Sequence, residues 1–138
     1  MANTGTLGFA LKNFWVDYTG WGRARRSEYW WVVLFYYFLI PFVISFCLNF
    51  VGTFCGLIYN SNAIYTFFKS LDWLVSMLWW CATLVPGFCL AARRLHDTDR
   101  SNWNVLWSLL PIVGWIVLLV FMASEGEPKK NRFGAPRK

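Results

Sequence analysis

The stretch RRLHDTDRSNW, residues 93–103, crowds three arginines, two aspartates and a histidine into eleven positions. Arg93, Arg94 and Arg100 surround His96, the one histidine, and Asp97 and Asp99 follow it closely. An imidazole beside a carboxylate suits general acid–base work, because histidine titrates near neutral pH. No serine or cysteine is convincingly placed as a nucleophile, however, and Ser101 more simply caps a following helix. A metal would need ligands beyond one histidine, and only Asp97, Asp99, Glu28 and Asp17 are on offer. No catalytic residue, metal or cofactor is therefore expected. The plainer reading is an anchored interfacial turn. Arg93 and Arg94 suit the negative end of a helix dipole, and Arg100 suits a phosphate. The carboxylates would then pair with a second basic cluster, GRARRSEYWW at 22–31, which supplies Arg23, Arg25, Arg26 and Glu28. A third use of so many arginines is to bind an anionic ligand.

The elements that hold these clusters are set by composition. Of 138 residues, 57% are apolar, 21% aromatic and only 14% charged, against about 25% charged in a soluble domain. The charges fall in segments 12–28, 69–72, 93–100 and 125–138. Between them lie uncharged runs long enough to supply the ~20 residues a bilayer crossing needs. The expected fold is an all-α integral membrane protein forming one domain, 1–138, with three transmembrane helices at about 30–54, 73–92 and 103–123. A short amphipathic helix over 7–18 lies at the interface, with Leu7, Leu11, Phe14, Trp15 and Tyr18 near one face. A polar tail, 124–138, is expected to be ordered only in part. No signal peptide opens the chain, so the first span acts as the targeting signal.

Local signals refine this. Ser27 reads as an N-cap with Glu28 in the first turn. Tyr29, Trp30, Trp31 and Trp103 read as interfacial anchors. Pro41, Pro86, Pro111 and Gly114 read as kinks. Lys69 and Asp72, three apart, are spaced to pair at the far interface. No Asp, Glu, Lys, Arg or His falls inside the three spans, which weakens proton-coupled transport. Asn49 and Thr83 read as helix–helix hydrogen-bonding groups. The four cysteines form no CxxC pair and behave as small apolar side chains.

The net charge of +6 suits anionic lipid at the cytoplasmic leaflet, where each basic residue gains about 1 kcal/mol. No basic helix or recognisable motif supports nucleic acid as a partner. Three crossings divide Lys and Arg seven against six, which decides no orientation; if the third stretch turned back, the division would be twelve against one. Three crossings are the preferred reading, with the two basic clusters cytoplasmic because the first span usually dominates orientation.

GRARRSEYWW, RRLHDTDRSNW, LLPIVGW and NRFGAP, in that order, resemble the YhaH-like bacterial inner-membrane proteins, domain of unknown function 805. The resemblance covers roughly 14–136. Its motifs match Gly22, Arg23, Arg26, Glu28, Tyr29 and Trp30; then Arg93, Arg94, Leu95, His96, Asp97, Arg100, Ser101 and Trp103; then Pro111 and Gly114; then Asn131, Arg132, Gly134 and Pro136. Asp99 and Asn102 stand where the family often has glycine. The resemblance implies a small multi-pass protein of the bacterial inner membrane and supplies no activity.

The expected function is accessory or structural rather than enzymatic. A basic-aromatic cytoplasmic face would bind anionic lipid headgroups or a membrane-protein partner, and the chain could form a homo-oligomer. The alternatives are a small oligomeric transporter or channel, and a membrane enzyme using His96 and Asp97 on a lipid headgroup.

Overall fold

The computed structural model describes residues 6–17 and 20–136, and its regular elements are all helical. They are α1 (Leu7–Val16), α2 (Arg26–Val32), a π-helical segment (Val33–Leu39), α3 (Ile40–Ile58), α4 (Asn62–Asp97), a 3-10 segment (Asn102–Leu109) and α5 (Val113–Ala123). Two helical runs, Arg26–Ile58 and Asn62–Asp97, are long and apolar enough to cross a membrane, and α5 is a shorter apolar helix. Both runs extend past the expected spans at either end. In α1, Ala10 and Phe14 are buried four residues apart; Tyr18, assigned to its apolar face, lies outside the described residues. The chain divides into two compact units, 33–84 and 1–32 with 85–138.

Residues 33–84 form an antiparallel helical hairpin closed at Tyr59–Ser61, where Ser61 N donates to the Gly56 carbonyl at 3.0 Å. Glycine lets the two helices approach. A Cβ added to Gly52 would stand 2.5 Å from the Phe68 Cβ, the close backbone contact that small residues give membrane helices. Pro41 explains the π-helical segment. In π register the Tyr36 carbonyl looks to the N–H of residue 41, which proline lacks. Trp79 Nε1 donates to that carbonyl instead, at 2.9 Å. On the outer side of α3, Phe42, Phe46, Phe50 and Phe54 stack in series with ring centroids 6.2–6.3 Å apart.

The third apolar stretch, expected as one span over 103–123, is helical and apolar but not one helix. Ser101 caps the 3-10 segment, its side chain accepting from Trp103 N. The chain then turns at Pro111–Val113, where Val113 N donates to the Pro111 carbonyl at 2.8 Å. Ile112 adopts φ 65°, ψ −71°, the strained three-residue turn that β-branched residues avoid. Seven residues of continuous α-helix span about 10.5 Å, yet a Cβ on Gly114 would stand 1.8 Å from the Trp107 carbonyl oxygen. The stretch therefore folds back on itself. Its two ends meet: the Arg100 guanidinium lies over the Phe121 ring, 3.8 Å from the centroid.

Candidate functional site

Three guanidiniums form the polar interior of the unit built from 1–32 and 85–138. Arg23 is 2% exposed, and Arg93 and Arg94 are fully buried. Isolated charges in such a setting would be prohibitive, so each must be answered. Arg93 and Arg94 stand in the last turns of α4, where positive charge meets the free carbonyls of the helix end. Arg94 donates to Asp97 one turn on, and to the carbonyls of Met122 (3.1 Å) and Ser124 at the end of α5. Arg23 Nε donates to Asp97 Oδ1 at 2.9 Å. Its remaining nitrogens donate to the Asp97 carbonyl and to the tail carbonyls of Glu127, Lys129 and Gly134. Arg93 Nη1 donates to Asp17 Oδ2 at 2.6 Å and lies 3.8 Å from Glu28 Oε1. Glu28 also accepts from Asn13 Nδ2 at 2.7 Å. Arg23, Arg93 and Arg94 thus face Asp17, Glu28 and Asp97. The network is neutral, and it ties together five separate segments of chain.

His96 belongs to the same knot. Its Nδ1 lies 3.1 Å from the Gly22 carbonyl, so this nitrogen carries the ring proton. Phe133 stacks on the imidazole with centroids 3.7 Å apart and planes 7° from parallel. Asn131 Nδ2 donates to the His96 carbonyl at 2.8 Å. His96 stands beyond the charge-free part of α4. Burial lowers its pKa, while the Gly22 carbonyl and Asn102 act in the opposite direction and Arg132 lowers it further. The neutral imidazole is accordingly the form that fits between a carbonyl and a phenyl face.

The described part of the tail makes structural contacts with the knot. Asn131 and Gly134 exchange two backbone hydrogen bonds, and the turn between them presents Phe133 to His96. Upstream, Glu127 N donates to the Asp97 carbonyl at 2.8 Å. A side chain at 126 would collide with Asp97, since a Cβ there would lie 1.8 Å from Oδ2. The polar composition of the tail concealed this role. Its signal was the turn-forming NRFG, whose glycine takes φ 120°.

The sequence-derived candidates separate into two groups. Arg23, Glu28, Arg93, Arg94, His96 and Asp97 come together in the interior. Arg25 and Arg26 line an outer cleft of about 280 Å³ with Glu125, Glu127 and Pro136, and Arg26 also reaches the Ala123 carbonyl at 3.2 Å. Arg100 lies on Phe121, and its Nη1 has no hydrogen-bond partner among the described residues. Arg132 pairs at the surface with Asp99 at 3.1 Å. Of the anchors, Trp30 (39%), Trp31 (37%) and Trp103 (77%) are exposed, and Tyr29 is half-buried. Of the expected kinks, Pro41 follows the π-helical segment, Pro86 lies within continuous α4, and Pro111 with Gly114 frames the turn of the third stretch. Ser27 is the second residue of α2 rather than its cap, a shift within the usual latitude of helix ends. No group of three His, Cys, Asp or Glu side chains able to hold a metal occurs among the described residues.

One feature of the hairpin was missed. Asp72 and Lys69 both lie within the continuous helix α4, and they do not pair as their spacing had suggested. Lys69 donates to the Tyr65 hydroxyl at 3.4 Å. Asp72 accepts from Ser45 and Asn49 of α3. Asn49 is thus a helix–helix group, as expected, but its partner is a carboxylate.

Comparison with known proteins places these features in a family. The profile described as "Protein of unknown function (DUF805)" matches residues 18–135. Inner membrane protein YhaI of Escherichia coli (strain K12) is 40% identical over 119 residues, 86% of each chain. Inner membrane protein YhaH of the same strain is 36% identical over 126 residues, 86% of this chain and 87% of that one. No solved structure matches. With its two long apolar helices, its shorter third and its arginine-rich knot, this chain belongs to the DUF805 family and is an all-helical, multi-pass protein of the bacterial inner membrane.

Proposed function

We propose that the protein is a non-enzymatic accessory component of the inner membrane whose basic end binds anionic phospholipid headgroups. One observation carries this reading: the buried network is neutral, so the surplus positive charge of its unit lies on the outside. Arg25 and Arg26 border the open cleft, which they share with Glu125 and Glu127. Arg23, Arg93 and Arg94 are the frame that holds these groups rather than the groups that meet lipid. An enzyme reading has less support, because Asp97 is engaged by two arginines and His96 is clamped between Gly22 and Phe133.

The same end is the cytoplasmic one in this reading. The two ends of the third stretch lie beside each other, which favours two crossings, and with two crossings the sequence divides its Lys and Arg twelve against one. Such an imbalance orients a protein under the positive-inside rule. An impermeant thiol reagent should modify a cysteine placed at residue 130 only after inner-membrane vesicles are opened to the cytoplasmic side; modification from the periplasm of intact spheroplasts contradicts this orientation.

Lipid selectivity is read from tryptophan quenching by brominated phosphatidylglycerol relative to brominated phosphatidylcholine. At about 1 kcal/mol per basic residue, reversing Arg25, Arg26 and Arg100 to Glu should lower the relative affinity about a hundredfold. Equal selectivity in the wild type and the reversed protein would refute the proposal.

A further inference from the structure

Asp72 is a carboxylate carried into the apolar hairpin. Ser45 Oγ donates to its Oδ2 at 3.0 Å, and Asn49 Nδ2 donates to the same oxygen at 2.9 Å. Asn49 is itself fixed, its amide also reaching the Ser45 carbonyl at 2.8 Å. The second carboxyl oxygen, Oδ1, is shielded and has no hydrogen-bond partner among the described residues. No basic side chain answers it. α3 has no charged residue from Ile40 to Ile58, and Lys69 is turned to Tyr65, 5.6 Å from that ring. Apolar groups bracket the cluster, with Phe46 (60%), Phe50 (62%) and Trp73 (68%) exposed around it. A groove of about 400 Å³, lined by Phe42, Ser45, Phe46, Asn49, Phe50 and Thr53, opens onto the two donors.

The chemistry of the unanswered oxygen selects its ligand. An ionised carboxylate with one bare oxygen in hydrocarbon costs far more than a neutral acid whose O–H lacks an acceptor, a loss of about 1–3 kcal/mol. A hard metal cation would ask for about six oxygens. Here Ser45 Oγ and the Asn49 amide are already committed as donors to Oδ2. A proton needs only Oδ1 itself. We propose that Asp72 is a proton-binding site of the membrane hairpin, with Oδ1 taking up and releasing the proton while Ser45 and Asn49 hold Oδ2. The step makes and breaks a single O–H bond, the proton passing between Oδ1 and a water molecule. An intramembrane carboxyl of this kind is the feature whose apparent absence from the spans had counted against proton coupling.

The test uses the full chain in phospholipid vesicles and the apolar reagent dicyclohexylcarbodiimide. That reagent consumes the acid proton as the carboxyl oxygen adds to its central carbon, and rearrangement leaves a stable N-acylurea. At neutral pH mass spectrometry should map the adduct to Asp72, with a labelling rate that falls as pH rises. The adduct should vanish in Asp72→Asn. The wild type alone decides the outcome if that variant does not fold. A carboxylate that only accepts structural hydrogen bonds stays ionised and unreactive, so absence of an Asp72 adduct from pH 5 to pH 8 overturns the proposal. Protection by excess sodium over choline also overturns it, because the occupant would then be a metal cation.

Discussion

Two regions of this chain bury polar groups in apolar surroundings, and they do so by opposite means. Among residues 1–32 and 85–138, three guanidiniums meet three carboxylates, and backbone carbonyls from α5 and the tail take further N–H groups of Arg23 and Arg94. In the hairpin, one carboxylate meets two neutral donors and keeps an oxygen over. The difference follows from how many segments converge. Five strands of chain reach the arginines, so each charge finds an opposite one. Only two helices meet at Asp72, and one of them carries no charge. Charge answered by charge makes a frame; the proton site proposed at Asp72 lies where a charge meets only neutral donors.

The largest expected effect comes from breaking the frame. Asp97→Ala removes the carboxylate shared by Arg23 and Arg94 and leaves two buried cations unanswered, which costs about 3–5 kcal/mol for a broken buried pair. Unfolding in mild detergent, followed by tryptophan emission, should shift by that amount or the variant should fail to accumulate. A loss below about 1 kcal/mol would mean the network is looser than its distances imply, and the contrast between the regions would collapse.

Somewhat smaller effects test the bend of the third stretch. Gly114→Ala forces a methyl group onto the Trp107 carbonyl, an overpacking that costs about 1–3 kcal/mol or more. Ile112→Gly should do the reverse at the same turn, relieving a strained φ worth about 1 kcal/mol. Opposite signs from two residues two positions apart are the signature of a built turn. If both variants destabilise equally, the turn owes its shape to something other than these contacts.

The His96 knot adds a dependence on pH. Burial holds the pKa of His96 below its ordinary value, so the unfolded chain binds a proton more readily than the folded one. Stability is then fully present above the ordinary histidine value near 6.5 and falls as pH drops below it. The unfolding midpoint should decline between pH 7.5 and 5.5 in the wild type, and His96→Gln should flatten that decline. An unchanged slope in the variant would move the acid sensitivity to other groups.

How far these regions could be read in advance depends on the range of the forces. Long charge-free runs gave the two long helices directly, because bilayer thickness sets a length that composition alone reveals. The ion pairing of RRLHD with GRARRS was also legible, since buried arginines near carboxylates have few other options. The tail was not. Its role rests on backbone carbonyls of Glu127, Lys129 and Gly134, and a carbonyl leaves no trace in residue type. The bend at Ile112 was obscured because Pro111 and Gly114 fit either a kinked crossing or a return. Asp72 was overlooked for a different reason. Counting from the first tryptophan of the span set it one residue outside the hydrocarbon, whereas α4 begins ten residues earlier.

The smallest effect sharpens the hairpin side of the comparison. Ser45→Ala removes one of the two donors to Asp72 Oδ2 and leaves Asn49 in place. Interhelical hydrogen bonds in membrane proteins average only about 0.6 kcal/mol, because the unfolded chain in a bilayer also finds partners. Stability should therefore hardly change. The carboxyl, however, loses one of the two donors that hold Oδ2, and if Oδ1 exchanges a proton as proposed, carbodiimide labelling at a fixed pH should quicken. A structural acceptor would show the small stability loss without the faster labelling. Stability barely moved and reactivity clearly raised would thus separate a carboxyl poised for a proton from one that merely ties α3 to α4.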